Sequence, residues 1–325
     1  MRTMKACIYR NYGQTNVLAI EDIRLPEVGP DELLVRVVAS SVNRTDCAML
    51  SGQPWIMRAF LGWFSPKNPI LGTEFSGVVV DKGTQVSKFD IDDRIFGFND
   101  LGLSAYAEYL VIKEAAAIAK IPHGIDFSQA AASMEGAHYA FNYINKLNIQ
   151  AGEQILINGA SGAIGSALLQ FCVARGAKVV AVSENRHADL LIALGANRVI
   201  DYTQQDFTQE TEQYNYVFDA VGKSSVFRCR RILKKHGVYI SSEPGAYAQN
   251  IYLPLISKIF GSRRVIFPFP CPPRESLLFI KQFIEDGSFI PVLDKSFSME
   301  EIALAFGYVL KGQKRGNVAI RIGNP

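Results

Sequence analysis

Three glycines spaced three residues apart are the clearest chemical signal in this sequence. They stand in the run Asn-Gly-Ala-Ser-Gly-Ala-Ile-Gly, which ends a predicted strand and opens a predicted helix. Such glycines permit a tight turn, let the backbone approach a pyrophosphate, and let the helix pack closely on the strand. The helix N-terminus adds unpaired N–H groups and a positive dipole end. A glycine-rich turn that binds nothing is the alternative. We predict a dinucleotide site at Gly159, Ala160, Ser161, Gly162, Ala163, Ile164 and Gly165.

The end of the next predicted strand decides which dinucleotide fits. An NAD site usually carries Asp or Glu about 20 residues further on, to hold the ribose hydroxyls of adenosine. Here that position is Ser183, so the carboxylate that would repel a 2′-phosphate is absent. Arg186 adds a cation nearby. Glu184 is at odds with this interpretation unless its side chain points away. We predict NADPH rather than NADH, with the alternative that Arg186 only opens an exposed helix.

A regular alternation of strands and helices surrounds the glycine turn. Apolar runs predict strands at 154–158, 178–182, 198–201, 216–220 and 238–241. Helical periodicity predicts helices at 161–175 and 186–194, and Gly195 stops the second one. Parallel strands joined by helical crossovers make the predicted fold an α/β class with a doubly wound parallel sheet.

The rest of the chain has a different pattern. Short strands are predicted at 32–38, 75–80, 94–98 and 107–112, and a helix is predicted from Phe127 with Ser128 as its N-cap. The last run, 316–322, alternates like a strand that returns to this first part. We therefore predict a discontinuous β-rich domain, 1–122 and 265–325, around a Rossmann-type domain at 123–264. A cleft between two such domains is the natural ligand site.

Composition and charge exclude several other classes of protein. With 48% hydrophobic residues in a chain of 325, intrinsic disorder is excluded. No apolar stretch reaches the ~20 residues of a membrane span, and no signal peptide begins the chain, so a cytoplasmic location is expected. A net charge of +3 does not indicate nucleic-acid binding, and five scattered cysteines predict neither disulfides nor a thiolate zinc site.

Four motifs in one order resemble the medium-chain dehydrogenase/reductase superfamily, and within it the zinc-independent quinone oxidoreductase (ζ-crystallin-like) branch. They are the runs at 35–46 and 69–79, the glycine turn, and Phe-Asp-Ala-Val-Gly at 218–222. The resemblance covers about residue 4 to residue 322. It implies that the β-rich domain is a GroES-like catalytic domain. It also implies a homodimer that pairs edge strands, with 265–269 as the candidate.

The resemblance also implies a reaction without zinc. Alcohol dehydrogenases of this superfamily carry a cysteine and a histidine as zinc ligands where this chain has Asn43 and Thr73, which are poor ligands. His138 and Glu74 are two further candidates without a third, so no metal is expected. The implied activity is transfer of hydride from NADPH to a quinone or an α,β-unsaturated carbonyl compound. A dinucleotide-binding protein with little turnover is the alternative, and a zinc-type alcohol dehydrogenase is disfavoured.

Several residues acquire roles by their match to the family pattern. Asn43 falls on an asparagine near the nicotinamide ribose and the substrate, although a turn asparagine that bonds to backbone explains it equally well. His138 falls on a threonine near the nicotinamide, where a histidine either donates a proton or simply packs. Arg186 and Tyr202 fall on contacts to the 2′-phosphate. The strand end beside the cofactor is matched by Ala220, Val221 and Gly222.

Two features depart from the family pattern. Several relatives carry a tyrosine where this chain has Ala48, so no general acid is evident and the final proton is expected from solvent. The segment 53–66 is longer and richer in aromatic residues than its counterpart in short family members. It forms a lid over a hydrophobic acceptor, a packed helix or a surface for a partner, and the sequence does not distinguish these.

Overall fold

The computed structural model describes residues 2–245, 248–260 and 263–323, and for 256–260 the backbone alone. The strands are β1 (Thr3–Ile8), β2 (Ala19–Arg24), β3 (Glu32–Val42), β4 (Glu74–Lys82), β5 (Arg94–Phe98), β6 (Tyr109–Lys113), β7 (Ile118–Lys120), β8 (Gln154–Asn158), β9 (Lys178–Ser183), β10 (Arg198–Asp201), β11 (Tyr214–Asp219), β12 (Leu233–Ser241), β13 (Arg264–Ile266), β14 (Leu293–Ser298) and β15 (Asn317–Arg321). The helices are α1 (Arg44–Ser51), α2 (Arg58–Leu61), α3 (Phe127–Ala131), α4 (Glu135–Ile144), α5 (Ala163–Ala174), α6 (Ala188–Ala193), α7 (Val226–Cys229), α8 (Gln249–Phe260), α9 (Pro273–Glu285) and α10 (Ile302–Leu310).

The chain divides into two compact units. The β-rich unit consists of Met1–Glu135, Pro272–Asp286 and Ile290–Pro325. The parallel-sheet unit consists of Gly136–Cys271 and Gly287–Phe289. The domain boundaries that we expect from the sequence, after residues 122 and 264, stay a prediction.

The β-rich unit is built on a sheet that combines strands from 32–120 with the last two strands of the chain, while β1 and β2 form a separate sheet. Its strand order is β14-β15-β3-β4-β5-β7, and β6 also pairs with β3. Strand β15 lies antiparallel to β3, with Val318 opposite Val42, so the predicted return of the last strand is confirmed. Apolar side chains of β3, β4 and β5 are fully buried on one face of the sheet and form a core, including Val35, Phe75 and Ile95. Asn43 directly follows β3, and Thr73 directly precedes β4.

The parallel-sheet unit has the predicted doubly wound architecture. Its strand order is β10-β9-β8-β11-β12-β13, and every adjacent pair is parallel. Chain order reverses at β8, which lies between β9 and β11. Ligands of such sheets bind outside the carboxyl ends of the strands at this switch point. At one edge lies β13; the homodimer expected through 265–269 stays a prediction.

Helix starts are where the structure differs most from the expectations. Asp126, and not Ser128, caps α3, because its carboxylate accepts the N–H of Gln129 at 2.7 Å while the Gln129 side chain accepts the N–H of Asp126. The helix expected from residue 186 begins at Ala188, after a 3₁₀ turn at Asn185–His187. No helix in the described ranges is long and apolar enough to span a lipid bilayer.

Candidate functional site

The glycine turn connects β8 to α5, as the sequence predicts. Gly159 has φ 79°, a left-handed conformation that favours glycine, and its N–H donates to the carbonyl of Val182 at 3.1 Å. The N–H of Ala160 donates to the same carbonyl at 3.1 Å. A Cβ on Gly165 would overlap the carbonyl oxygen of Gly159, so a side chain there would push the helix away from the strand. Two of the three glycines are therefore required by the fold itself.

The fold does not require glycine at the middle position, Gly162. Gly162 is the N-cap of α5, it supplies no side-chain cap, and its φ of −76° suits any residue. A Cβ on it would meet only the carbonyl oxygen of Gly159, at an ordinary 3.5 Å. Packing thus does not require glycine here, and space is left beside the N–H groups of 163–165, which have no carbonyl within the helix to bond. Such open space at a helix N-terminus fits a pyrophosphate.

The predicted strand-end residues lie beside this turn. Strand β11 is the neighbour of β8, and the N–H of Ala220 donates to the carbonyl of Asn158 at 3.0 Å. Val221 reaches over the turn, because a Cβ on Gly159 would overlap its side chain. Val221 nevertheless remains 41% exposed, so one of its faces is open to a ligand. The structure therefore brings the glycine turn and residues 220–222 together at the switch point.

A buried aspartate, for which the sequence predicts no role, organises this strand end. Asp219 is fully buried, and its carboxylate accepts the N–H groups of Gly222 at 3.0 Å and Ser224 at 2.8 Å. It also accepts the Asn158 side-chain amide at 3.0 Å and the Tyr239 hydroxyl at 3.0 Å. Asp219 therefore ties β8, β11 and β12 to the turn after β11. An acidic residue at the end of an apolar strand is the sequence signal that points to Asp219.

The residues predicted to select the dinucleotide gather at the ends of β9 and β10. The hydroxyl of Ser183 donates to the hydroxyl of Ser161 at 2.8 Å, which joins β9 to the glycine turn. Arg186 places Nε 2.9 Å from Oε2 of Glu184, and the Tyr202 hydroxyl donates to Oε1 at 2.9 Å. Burial and the bond to Glu184 raise the pKa of Tyr202. Glu184 therefore does not point away from the two residues expected to hold the 2′-phosphate.

Asn43 lies in the β-rich unit as the N-cap of α1. Its side chain accepts the N–H of Asp46 at 3.0 Å, and the Asp46 carboxylate accepts the N–H of Asn43 at 3.1 Å. Its Nδ2 donates to Oγ1 of Thr73 at 2.9 Å. This geometry accounts for the asparagine as a structural cap. Its role toward the nicotinamide stays a prediction.

A cluster of buried carboxyl groups lies next to this cap. Asp46 and Glu74 are fully buried, and Glu135 is 5% exposed. Burial, reinforced by the charge of Glu135, raises the pKa of Asp46 and of Glu74 to about 8 each. Burial also lowers the pKa of Lys314, although the charges of Glu135 and Glu74 oppose this effect. The cluster therefore holds protons near neutral pH.

Hydrogen bonds fix the position of these carboxyl groups. Glu74 accepts the N–H groups of Met134 at 3.2 Å and Glu135 at 2.6 Å, and its other oxygen accepts the Ser41 hydroxyl. The Thr45 hydroxyl donates to Glu135 at 2.6 Å. The sequence suggests Glu74 only as a candidate metal ligand. In the described ranges no three His, Cys, Asp or Glu side chains are grouped to hold a metal ion.

His138 is fully buried on α4 in the parallel-sheet unit. Its Nε2 lies 3.2 Å from Nδ2 of Asn142, and Oδ1 of Asn142 accepts the N–H of Cys271 at 3.0 Å. Because that backbone bond fixes the amide orientation, Nε2 of His138 is an acceptor here. The ring also packs edge-on against Tyr139. These contacts favour the packing interpretation, and a proton-donor role stays a prediction.

The aromatic segment 53–66 is held at its base and exposed at its tip. The Tyr12 hydroxyl donates to the carbonyl of Gly62 at 2.5 Å, and the Arg58 guanidinium lies 4.6 Å from the centre of the Tyr12 ring. Met57 and Leu61 pack on the core of the β-rich unit. The exposed apolar side chains of segment 53–66 are Trp55, Ile56, Phe60, Trp63 and Phe64. A packed helix therefore does not describe these side chains, whereas a lid and a partner surface both remain consistent with them.

Comparisons with known proteins agree with this architecture. The family model described as "Alcohol dehydrogenase GroES-like domain" matches residues 29–123, and the model described as "Zinc-binding dehydrogenase" matches residues 194–320. The chain is 28% identical to "2-methylene-furan-3-one reductase" of Solanum lycopersicum, over 98% of this chain and 79% of the relative. It is also 28% identical to "NADPH-dependent alkenal/one oxidoreductase, chloroplastic" of Arabidopsis thaliana, over 98% and 80%.

A solved structure supports the fold independently. The quinone oxidoreductase from Coxiella burnetii superposes with a TM-score of 0.86 at 24% identity, over 99% of this chain and 100% of that one. At this identity the likeness shows the fold alone. The predicted α/β class with a parallel sheet and a GroES-like part is confirmed.

Proposed function

Because the chain belongs to the medium-chain dehydrogenase/reductase superfamily, in its quinone oxidoreductase branch, we propose that it transfers hydride from NADPH to a quinone or an α,β-unsaturated carbonyl compound. That it is an oxidoreductase follows from the family. The cofactor and the acceptor class are the proposal. It is carried by one observation: the open N-terminus of α5 at the switch point, with Arg186 and Tyr202 at the adjacent strand ends.

The chain's own residues fit a phosphorylated dinucleotide. The N–H groups of 163–165 bind the pyrophosphate beside Gly162, where a side chain would fill the space. Arg186 and the Tyr202 hydroxyl bind the 2′-phosphate, since a guanidinium and a hydroxyl both donate to phosphate oxygens. NADPH, when bound, supplies the hydride. Val221, exposed beside the glycine turn, packs against the nucleotide.

The acceptor is activated without a metal ion in this proposal. Asn43 and Thr73 stand at the positions where zinc-type relatives carry ligands, and the two side chains are hydrogen-bonded to each other. An amide and a hydroxyl are weak zinc ligands. In this proposal the conjugated carbonyl group already withdraws electrons from the C=C bond, so the bond accepts hydride without polarisation by a zinc ion. The final proton comes from solvent, and a donor role for His138 is the alternative.

Steady-state oxidation of NADPH tests the proposal. The panel contains benzoquinones, naphthoquinones, alkenals and enones, with the corresponding saturated aldehydes and ketones as matched controls. We expect turnover with the unsaturated compounds and none with the saturated ones. Tight binding of NADPH without turnover of any acceptor would favour the dinucleotide-binding protein. Zinc-dependent oxidation of simple alcohols would favour the zinc-type dehydrogenase.

The names of the two plant relatives support the acceptor class, since both refer to reduction of unsaturated carbonyl compounds or related substrates. The expected cytoplasmic location stays a prediction, and one of those relatives is named as chloroplastic.

A further inference from the structure

Glu184 places a carboxylate between the two side chains proposed to hold the 2′-phosphate. Its Oε2 lies 2.9 Å from Nε of Arg186, and its Oε1 accepts the Tyr202 hydroxyl at 2.9 Å. Carboxylates and phosphates are both anions that accept hydrogen bonds of this kind. The two donors therefore already hold an anion, and the chain itself supplies it.

These three residues lie at the carboxyl ends of the strands, where the dinucleotide is proposed to bind. Glu184 follows β9 directly and Tyr202 follows β10, and the last residues of these parallel strands, Ser183 and Asp201, are paired. The N–H of Tyr202 donates to the carbonyl of Ser183 at 3.3 Å. The Ser183 hydroxyl in turn donates a hydrogen bond to the Ser161 hydroxyl in the glycine turn. One chain of contacts therefore links the carboxylate to the pyrophosphate site.

The pairing is accessible to a ligand. The side chains of Arg186 and Glu184 are 52% and 34% exposed, and Tyr202 is 52% exposed. Ion pairs this open to solvent are weak, because water screens the two charges. A phosphate can therefore displace the carboxylate from Arg186. After displacement the carboxylate stays nearby, since its backbone belongs to the end of β9, and two anions in close proximity repel each other.

We propose that Glu184 is a specificity-determining residue that competes with the 2′-phosphate for Arg186 and Tyr202. The inference rests on the proposed function. Arg186 favours NADPH, and Glu184 reduces that preference because only the phosphorylated dinucleotide has to displace it. NADH lacks the phosphate and binds without disturbing the pairing. Glu184 thereby sets how strongly the protein discriminates between the two cofactors.

Binding titrations of the Glu184→Gln variant test this inference. The dissociation constants of NADPH and NADH are measured without acceptor, by nicotinamide fluorescence and by calorimetry. Glutamine keeps the size and the hydrogen bond to Tyr202 but removes the charge. We expect the NADPH dissociation constant to fall about fivefold, the effect of one screened surface charge, with that of NADH unchanged.

A matched control comes from the amino-terminal ends of the strands, opposite the ends at which the dinucleotide is proposed to bind. Glu212 lies 2.8 Å from Arg198 and accepts the Tyr214 hydroxyl at 3.4 Å, so it repeats the pairing with an arginine and a tyrosine at the first residues of β10 and β11. Glu212→Gln should leave both dissociation constants unchanged. In an Arg186→Ala background, Glu184→Gln should gain less for NADPH, because the contested cation is gone.

The outcomes separate the inference from the proposed function. An unchanged ratio of the NADPH and NADH constants in Glu184→Gln overturns the inference alone. Weaker NADH binding in that variant also overturns it, since the carboxylate would then be holding the ribose hydroxyls. Failure of both dinucleotides to bind the unmodified protein overturns the inference together with the proposed function.

Discussion

The side-chain amide of Asn43 donates to the hydroxyl of Thr73 at 2.9 Å, and both side chains are buried. The family resemblance implies that zinc-type members of the superfamily carry metal ligands at these two positions. In this chain the positions are joined by a hydrogen bond, and Asn43 also caps α1. The two side chains therefore belong to a hydrogen-bond network that stabilises the start of α1.

Replacement of Asn43 separates its structural role from its proposed role in positioning. Asn43→Ala should lower the free energy of unfolding by about 1–2 kcal/mol, because it removes the cap and leaves the N–H of Asp46 unbonded. Asn43→Ser keeps an N-cap oxygen but is too short to reach Thr73, so it should lose less stability. Chemical denaturation measures both variants.

Activity measurements on the same two variants test whether Asn43 positions the cofactor. If Asn43 positions the nicotinamide ribose, kcat/KM falls alike in Asn43→Ala and Asn43→Ser, although their stabilities differ. Loss of activity only in proportion to loss of folded protein would contradict the positioning role and leave Asn43 as a cap.

Gly162→Ala tests whether the open space at the N-terminus of α5 is used by a dinucleotide. Its φ of −76° accepts alanine, and the added Cβ has only an ordinary 3.5 Å contact within the protein. We expect unchanged thermal stability and at least tenfold weaker NADPH binding, because the methyl group occupies space proposed for the pyrophosphate. Calorimetric titration with NADPH measures the loss.

Gly307→Ala is the control for this prediction. Gly307 lies within α10, and a Cβ on it would meet nothing within 4 Å. Alanine should leave NADPH affinity unchanged there. Equal affinity of Gly162→Ala and the unmodified protein would contradict a pyrophosphate site at this turn.

The sequence predicts the parts of this protein that depend on local pattern. Strand β8 occupies the predicted range 154–158, because an apolar run is bounded there by polar residues and glycine. The glycine turn follows it for the same local reason. The helix expected from 186 begins at Ala188 instead, since residues Asn185–His187 form a tighter 3₁₀ turn that no side chain caps.

Contacts between distant residues are what the sequence does not predict. Glu74 reaches the N–H groups of residues about 60 positions away, and Asp219 does the same with Asn158. These bonds exist only after the strands have come together, so no local pattern indicates them. No local pattern indicates the orientation of the Glu184 side chain either, because it depends on Tyr202, which follows the neighbouring strand.

The buried carboxyl cluster should make stability depend on pH. The folded-state pKa of Glu74 is raised from its ordinary 4.5 to about 8, so folding favours the protonated form. Its contribution to stability is complete below the unfolded pKa and is lost as pH rises through about 8. Glu74→Gln mimics the protonated form and should flatten this loss, which is at most about 1.4 kcal/mol per pH unit. Urea denaturation at a series of pH values from 4.5 to about 8 measures this loss of stability.

Glu21, a partly exposed carboxyl group, is the control for the pH prediction. Arg10 holds the pKa of Glu21 below its ordinary value, so this group stays ionised throughout the interval. Glu21→Gln should leave the slope of stability against pH unchanged. A slope in Glu74→Gln as steep as in the unmodified protein would show that Glu74 is not protonated in the folded state.

The two tryptophans of the chain, Trp55 and Trp63, both belong to the exposed aromatic segment, so intrinsic tryptophan fluorescence reports on this segment alone. In the free protein, acrylamide should quench this fluorescence readily. If the segment covers a hydrophobic acceptor, a non-reducible quinone analogue should shield both tryptophans. Phe64→Ser, at the most exposed of these side chains, should then raise the acceptor KM several-fold without changing NADPH affinity, because it removes apolar contact area.

Leu304→Ser is the matched control, since Leu304 is an exposed apolar residue on α10 of the same unit. It should leave the acceptor KM unchanged. An analogue that binds without altering acrylamide quenching, together with an unchanged KM in Phe64→Ser, would contradict the lid. Concentration-dependent protection of the tryptophans in the absence of any acceptor would instead identify the segment as a surface between two copies of the chain.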